Sequence, residues 1–298
     1  SDRVAAAGVS AICRQWLQAA GIQIEGQGLV EISPCLSFAG EGLSDLTTKM
    51  FSTPCYIDGK SETRKPANEI LILHFNDVYN IEPQKKEPVG GISRFVSKVQ
   101  EIRQRCLSEN KPAPLILFSG DAFNPSLMSS VTKGSHMVPA LNAINIEAAC
   151  LGNHDFDFGL DVLQQYISDS HFPWLISNVV DKTTRVPLAN GLVTHTFLWA
   201  GRKIGLMGLI EKEWLVTLGT IDLDEVVYED FVECGRRLAG ELRTAGCEII
   251  IALTHMRLPN DKLLAEEAGD CIDLILGGHD HFYDVKPLGK YGITVCKS

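Results

Sequence analysis

The sequence predicts an α/β fold, and three observations carry that prediction. From residue 69 onward, short apolar runs alternate with segments whose apolar residues recur at helical spacing. Five of these apolar runs stop at a turn bearing Asp, Asn or His. At 298 residues and 45% hydrophobic content the chain has enough material for one large α/β domain and a smaller piece.

Residues 1–66 have a different texture and are expected to form a small N-terminal segment. Val9 to Ala20 has helical character, Gly21 ends it, and short strands and turns follow. Ser61 to Asn68 is polar, contains Pro66 and reads as a linker. The alternation then begins with Ile70–Phe75, expected to be a buried strand. Ile92, Phe95, Val99, Ile102 and Cys106 share one face of a helix from about Gly91 to Ser108. Leu115–Phe118 and Ala148–Leu151 are strands, and a helix runs from about Asp161 to Ile167. Lys203–Leu209 is a strand, and Phe231, Leu238, Leu242 and Ala245 mark another helix. Ile249–Leu253 and Ile272–Leu276 are buried strands. Strands alternating with helices imply helices packed on a largely buried sheet system. Tyr291–Ser298 reads as a strand without a closing cap, so the chain is expected to be part of a longer protein.

Composition narrows the function. The formal charge of −10 argues against a nucleic-acid partner, because phosphate backbones are bound by basic surfaces. It leaves room for small phosphate substrates, since bound metal ions supply positive charge locally. No run approaches the roughly 18 apolar residues that span a bilayer, so no membrane partner is expected. No secretory signal is visible at the N-terminus. The nine cysteines are scattered without a Cys-x-x-Cys pair, which fits buried thiols in a reducing, cytoplasmic setting.

The chemistry gathers where the strands end. The ends read Asn76-Asp77, Gly120-Asp121, Gly152-Asn153-His154-Asp155, Thr254-His255 and Gly278-His279-Asp280-His281. In α/β folds, sites collect at the carboxyl ends of the strands. Taken singly, most have a structural explanation: Asp77 and Gly120-Asp121 as turns, Asn153-His154 as a helix cap, His255 as a hydrogen-bonded core histidine. Two histidines two apart, His279 and His281, point the same way on an extended segment and are harder to dismiss. Five such ends falling in order favour one shared cleft. Mixed carboxylate and imidazole donors suit Zn, Fe or Mn better than Ca or Mg. No covalent nucleophile stands out, since neither a Gly-x-Ser-x-Gly turn nor a Cys/His signature is present.

Those ends, with Gly152–Asp157 and Gly277–His281, resemble the ordered motifs of calcineurin-like metallophosphoesterases, most closely the 5′-nucleotidase branch. Gly90–Phe95, Ser177–Val180 and Thr254–Met256 add to the likeness, which covers about residues 69 to 298. The resemblance implies a four-layer α-β-β-α sandwich with its site at the carboxyl ends of the strands, in a catalytic domain spanning 67–298. It implies two divalent metal ions, of Zn, Mn or Fe. Asp77, Asp121 and His281 would hold one, while Asp121, Asn153, His255 and His279 would hold the other. A metal-bound hydroxide would attack phosphorus in line. His154 would assist at the transition state or the leaving alkoxide, oriented by Asp157. The implied substrate is a small nucleotide, foremost a nucleoside 5′-monophosphate, in nucleotide catabolism. The alternatives are a UDP-sugar, a 2′,3′-cyclic nucleotide, or a weakened module that binds nucleotides without turnover.

Two departures accompany the resemblance. Where the family usually has histidine two residues after the first aspartate, this chain has Tyr79. A phenolate is costly beside Zn or Mn, so Tyr79 is not expected to ligate, and the first ion is expected to bind more weakly. The base-binding C-terminal domain typical of the family is not among these residues. Residues of about 8–62, through Arg14–Gly21, Val30–Leu43 and Phe51–Cys55, separately resemble the tail of UDP-N-acetylglucosamine and related UDP-sugar pyrophosphorylases. The sequence leaves the oligomeric state open.

Overall fold

In a computed structural model of the chain, the described residues are 20–25, 29–33, 69–86, 88–216 and 218–298. The expected helix over 9–20 and the linker over 61–68 lie outside them, except that Ala20 opens a strand. The N-terminal segment contributes β1 (Ala20–Glu25) and β2 (Leu29–Ser33).

Strand β3 (Glu69–Phe75) leads into helix α1 (Ile92–Ser108), then β4 (Leu115–Phe118), α2 (Leu127–Thr132), α3 (Met137–Ile144) and β5 (Ala148–Cys150). A 3₁₀ turn over Asn153–Phe156 precedes α4 (Leu160–Asp169), β6 (Trp174–Leu175), β7 (Val179–Asp181), β8 (Thr194–Trp199) and β9 (Arg202–Ile210). The chain continues through α5 (Lys212–Leu215), β10 (Val226–Tyr228), α6 (Phe231–Thr244) and β11 (Ile249–His255). It ends with α7 (Leu258–Ala268), β12 (Leu274–Gly277), β13 (Asp284–Leu288) and β14 (Ile293–Lys297).

Two six-stranded sheets result, ordered β2-β1-β3-β4-β5-β6 and β13-β14-β12-β11-β9-β8, with β7 and β10 paired separately. Strands β3 to β6 are parallel, as are β9, β11, β12 and β14. Strand β1 adds antiparallel to β3, with Ala20 opposite His74 and Glu25 opposite Glu69.

Side-chain alternation then makes the layers. In β3 and β4, Ile72, Leu115 and Leu117 face Ile251, Leu253, Leu274 and Leu276 of the second sheet in one buried cluster. Their neighbours Leu73, Phe75, Ile116 and Phe118 face the other way, against α1, α3 and α4. Met207, Leu209, Ile250 and Ala252 turn outward onto Leu238, Leu242, Leu264 and Ala268 of α6 and α7. Three apolar interfaces therefore separate four layers, α-β-β-α. Strands buried on both faces must be apolar throughout, which is why they read as continuous runs.

The helix faces follow from spacing. Phe95, Val99, Ile102 and Cys106 of α1 are buried, as the 3–4 spacing requires. Ala245 does not join the α6 face; it follows the last helical residue and is exposed. Asp230 caps α6, accepting from the amides of Val232 and Glu233 at 2.9 and 3.3 Å. Cys106, Cys150, Cys234, Cys247 and Cys296 are buried, and among the described residues no cysteine is in a disulfide. No helix among the described residues is long and apolar enough to cross a membrane.

Side chains staple the sheets together at the carboxyl ends of their strands. Ser119 Oγ, just past β4, donates to the Leu276 carbonyl of β12 at 2.8 Å. Asn178 donates to the Ile210 carbonyl and accepts from the Ile210 amide, at 2.8 and 3.0 Å. Within the Ser177–Val180 stretch, Asn178 thus holds the end of β9.

Candidate functional site

Five strand ends converge. Asp77 follows β3, Asp121 follows β4, Asn153 follows β5, His255 closes β11, and His279 and His281 follow β12. The loops carrying the first two are tied backbone to backbone: the Asp77 amide donates to the Gly120 carbonyl and the Val78 amide to the Asp121 carbonyl, both at 2.9 Å. Asp77, Asp121, His279 and His281 all have positive φ, of 53°, 64°, 82° and 54°. Non-glycine residues rarely adopt that region, and its cost of roughly 1–3 kcal/mol each is typical of sites where surroundings over-determine the backbone. Gly120 has φ of 83°, and a Cβ there would meet the Gly152 amide nitrogen at 2.7 Å and His255 Nδ1 at 2.9 Å. Only glycine lets these ends approach so closely.

His255 is fully buried and has a fixed orientation. Its Nδ1 donates to the Ser119 carbonyl at 2.7 Å, so Nε2 faces Asp121 Oδ2, 3.1 Å away. That approach lacks hydrogen-bond alignment, leaving Nε2 a buried nitrogen without a hydrogen-bond partner. Burial works against a charge on this ring, yet Asp121 and Asp77 outweigh it and raise its pKa to about 10. An imidazole in this setting holds a cation at Nε2, whether a proton or a metal ion. Asn153 Oδ1 is likewise buried and unpartnered. Ligand atoms of Asp121, His255 and His279 lie within 4.8 Å of one another. Burial and the neighbouring His255 lower the His279 pKa, favouring the neutral imidazole that metal binding requires. These three residues, with the orphaned Asn153 oxygen, fit one divalent ion.

The other expected ion position is different. Two of its three ligands are in contact, with His281 Nε2 2.9 Å from Asp77 Oδ1, and the Tyr79 hydroxyl lies 3.1 Å from the third, at Asp121 Oδ2. The same hydroxyl is 2.9 Å from Asp77 Oδ1 and 3.3 Å from His281 Nε2. Tyr79 is 5% exposed, and burial together with Asp121 and Asp77 pushes its pKa far above the ordinary phenol range. It remains a neutral phenol, and its hydroxyl stands at the point where these donor atoms meet. Burial works to raise the Asp77 carboxyl, but His255 and His281 hold it well below the usual range.

His154 sits beside this centre. Its amide donates to Asp121 Oδ1 at 2.8 Å, and its ring centroid is 5.9 Å from that of Tyr79. Its Nδ1 contacts Asp157 Oδ2 at 2.8 Å, the hydrogen bond that does most to raise its pKa. Asn124 donates to the same carboxylate oxygen.

Three supports carry no role in the sequence reading. Asp155 accepts the amides of Asp121, Ala122 and Gly152 at 3.0, 2.8 and 2.8 Å, locking two loops together. Burial and the Asp121 charge push its pKa up to about 7 against those amides. Its place inside the Gly152–Asp157 motif was the available signal. Lys297, buried in β14, reaches Asp261 at 2.8 Å, Asp280 at 3.1 Å and the Met256 carbonyl at 2.6 Å. It clamps the His255 and His279 loops from beneath, and nothing in the local sequence marks a lysine for burial. Glu211, also buried, accepts from Arg257 and Asn260 and lies 4.0 Å from His279 Nε2.

The profile of the calcineurin-like phosphoesterase family matches residues 70–283. The human 5′-nucleotidase is 30% identical over 250 residues, covering 76% of this chain and 42% of that protein. An apyrase of Aedes aegypti is 27% identical over 240 residues, covering 74% and 41%. The solved structure of the Haemophilus influenzae NAD nucleotidase superposes with a TM-score of 0.64 at 23% identity, covering 76% of this chain and 49% of that one. The chain thus spans less than half the length of these relatives. These similarities give no support to the likeness of residues 8–62 to pyrophosphorylase tails.

Proposed function

The chain belongs to the calcineurin-like phosphoesterase family, whose profile matches residues 70–283, and from that premise we propose that it hydrolyses phosphate esters, foremost nucleoside 5′-monophosphates. The observation that carries this is the buried set of Asp121, His255 and His279, with unpartnered Asn153 Oδ1 and His255 Nε2 beside it. The catalytic unit is residues 67–298. The mixed nitrogen and oxygen donors suit Zn, Mn or Fe. A divalent ion there supplies Lewis acidity toward a phosphoryl oxygen and lowers the pKa of water near 7.

The protein's own part is to hold and move protons. Ser119 fixes the His255 tautomer so that Nε2 is the ligand atom. The His154 amide fixes Oδ1 of Asp121, while Oδ2, which also contacts the Tyr79 hydroxyl, faces His255 Nε2 and the ion position. Asp157 accepts from His154 Nδ1, so Nε2 of that ring carries the proton for the leaving alkoxide. Its protonated form, favoured by Asp157, also offsets charge building on the phosphoryl oxygens.

Two substitutions test these roles. Asn153→Ala should lower the metal content of the purified chain, while His154→Ala should keep the metal and lose rate, by about 10²–10⁴-fold. Equal metal loss in both would sink the role given to His154. Substrate class is read from the products: inorganic phosphate from nucleoside monophosphates, UMP with a sugar phosphate from UDP-sugars, and a nucleoside monophosphate from 2′,3′-cyclic nucleotides.

A further inference from the structure

We infer that this chain holds one metal ion, not two, because the Tyr79 hydroxyl takes up the donors of the second. The inference rests on the metal-centre reading above and deepens it.

The geometry is specific. Asp77 Oδ1, Asp121 Oδ2 and His281 Nε2 lie 2.9, 3.1 and 3.3 Å from one phenol oxygen. These are hydrogen-bond distances, not the roughly 2.0–2.2 Å of metal ligation. Three donor atoms converging from strands β3, β4 and β12 onto one point is how a cation is held, and here a hydroxyl stands at that point. A phenol has one proton and two lone pairs. It donates to one of the two carboxylates and accepts from His281, whose Nε2 also contacts Asp77 Oδ1 at 2.9 Å.

The ring cannot swing aside freely. Tyr79 is buried, with its edge against His154 and His281 at centroid distances of 5.9 Å in both cases. The bonds of Asp77 to the His279 amide at 2.9 Å and to Asn76 complete the enclosure. An ion entering this position would have to displace the hydroxyl from all three atoms at once. In the other set the hydroxyl reaches Asp121 Oδ2 alone, and Asn153 Oδ1 and His255 Nε2 remain without hydrogen-bond partners.

The consequence is a mononuclear centre. Asp121 then serves one ion rather than bridging two, and Asp77, Tyr79 and His281 become a hydrogen-bonded wall. Lewis acidity toward phosphate comes from one side only.

The test counts ions, independently of activity. The full chain is stripped, reloaded with excess Mn²⁺ and freed of loose metal. Manganese per chain is then measured by elemental analysis, and the spectrum by electron paramagnetic resonance. The expected result is one Mn²⁺ per chain with the signal of an isolated ion. Tyr79→His, which removes the phenol oxygen, should take up two and give a spin-coupled signal. Two ions in the unmodified chain would overturn the inference. So would a Tyr79→His chain that stays at one ion while its circular dichroism shows it folded. No ion in either protein would instead remove the metal-centre reading itself.

Discussion

Adding one methyl group at Gly152 tests the packing of the site directly. Gly152 has φ of −108° and ψ of 177°, extended backbone that alanine adopts without strain. The effect of Gly152→Ala is therefore steric. A Cβ there would lie 2.2 Å from Asp121 Oδ1, and 2.7 Å from its Cγ and its amide nitrogen. Relief requires Asp121 to withdraw by about 1 Å, yet its Oδ1 is held by the His154 amide at 2.8 Å. Overpacking of this kind costs roughly 1–3 kcal/mol. The alanine regains about 0.4–1 kcal/mol through a less flexible unfolded chain. A net loss of about 1–2 kcal/mol corresponds to a fall in Tm of roughly 2–8 °C for a domain this size. Misplacing a metal-binding carboxylate by about 1 Å is expected to cost roughly 100-fold in rate. Phosphate release, Mn²⁺ affinity by titration calorimetry and thermal unfolding are measured together. Gly240→Ala is the control, since a Cβ at that helical glycine meets nothing within 4 Å. Wild-type rate and metal affinity in Gly152→Ala would refute the close approach of these loops.

Other substitutions probe the supports. Asp155→Ala orphans the amides of Asp121, Ala122 and Gly152. At about 1–3 kcal/mol for each buried unpaired donor, denaturant unfolding should show a loss of at least ~3 kcal/mol, and a loss under ~1 kcal/mol would contradict that role. Lys297→Met leaves Asp261 buried without its partner, which should destabilise by roughly 3–5 kcal/mol. Adding Asp261→Leu should restore part of it, and a fully additive double variant would argue against the pair. Asp157→Asn tests the pH profile. The folded-state pKa of His154 is raised, chiefly by Asp157, so its acid form is present below that pKa and lost as pH rises through it. Removing the carboxylate should move the alkaline limb of the rate profile to lower pH, and an unmoved limb would show that His154 is not the titrating acid.

Much of this fold is readable from the sequence because it is buried on two faces. A strand packed both on the second sheet and on helices must be apolar throughout, so β3, β4, β11 and β12 announce themselves within a residue or two. Helices α1 and α6 are readable because one side meets solvent and the other the core. Strands β7, β10 and β13 are short and half-buried, without a continuous apolar run. Helix α7 opens on Leu258-Pro-Asn-Asp, where Pro259 in the first turn was the missed signal. In the site, the residues at strand ends were legible because topology carries all such ends to one edge. Their supports were not. Lys297 and Glu211 come from distant segments, and their partners are set by the packing of the sheets rather than by spacing. Tyr79 was visible as a departure, but only three-dimensional structure gives its hydroxyl three neighbours.

In the proposed function, a metal ion held by Asp121, Asn153, His255 and His279 supports the hydrolysis of phosphate esters. Phosphate release from a nucleoside 5′-monophosphate by the full chain tests it most directly, before chelation, after chelation, and after Mn²⁺ is restored. The expected result is release that disappears on chelation and returns with the metal, and that His255→Ala fails to recover. Release that survives complete removal of metal, or no hydrolysis of any phosphate ester with metal present, would contradict it.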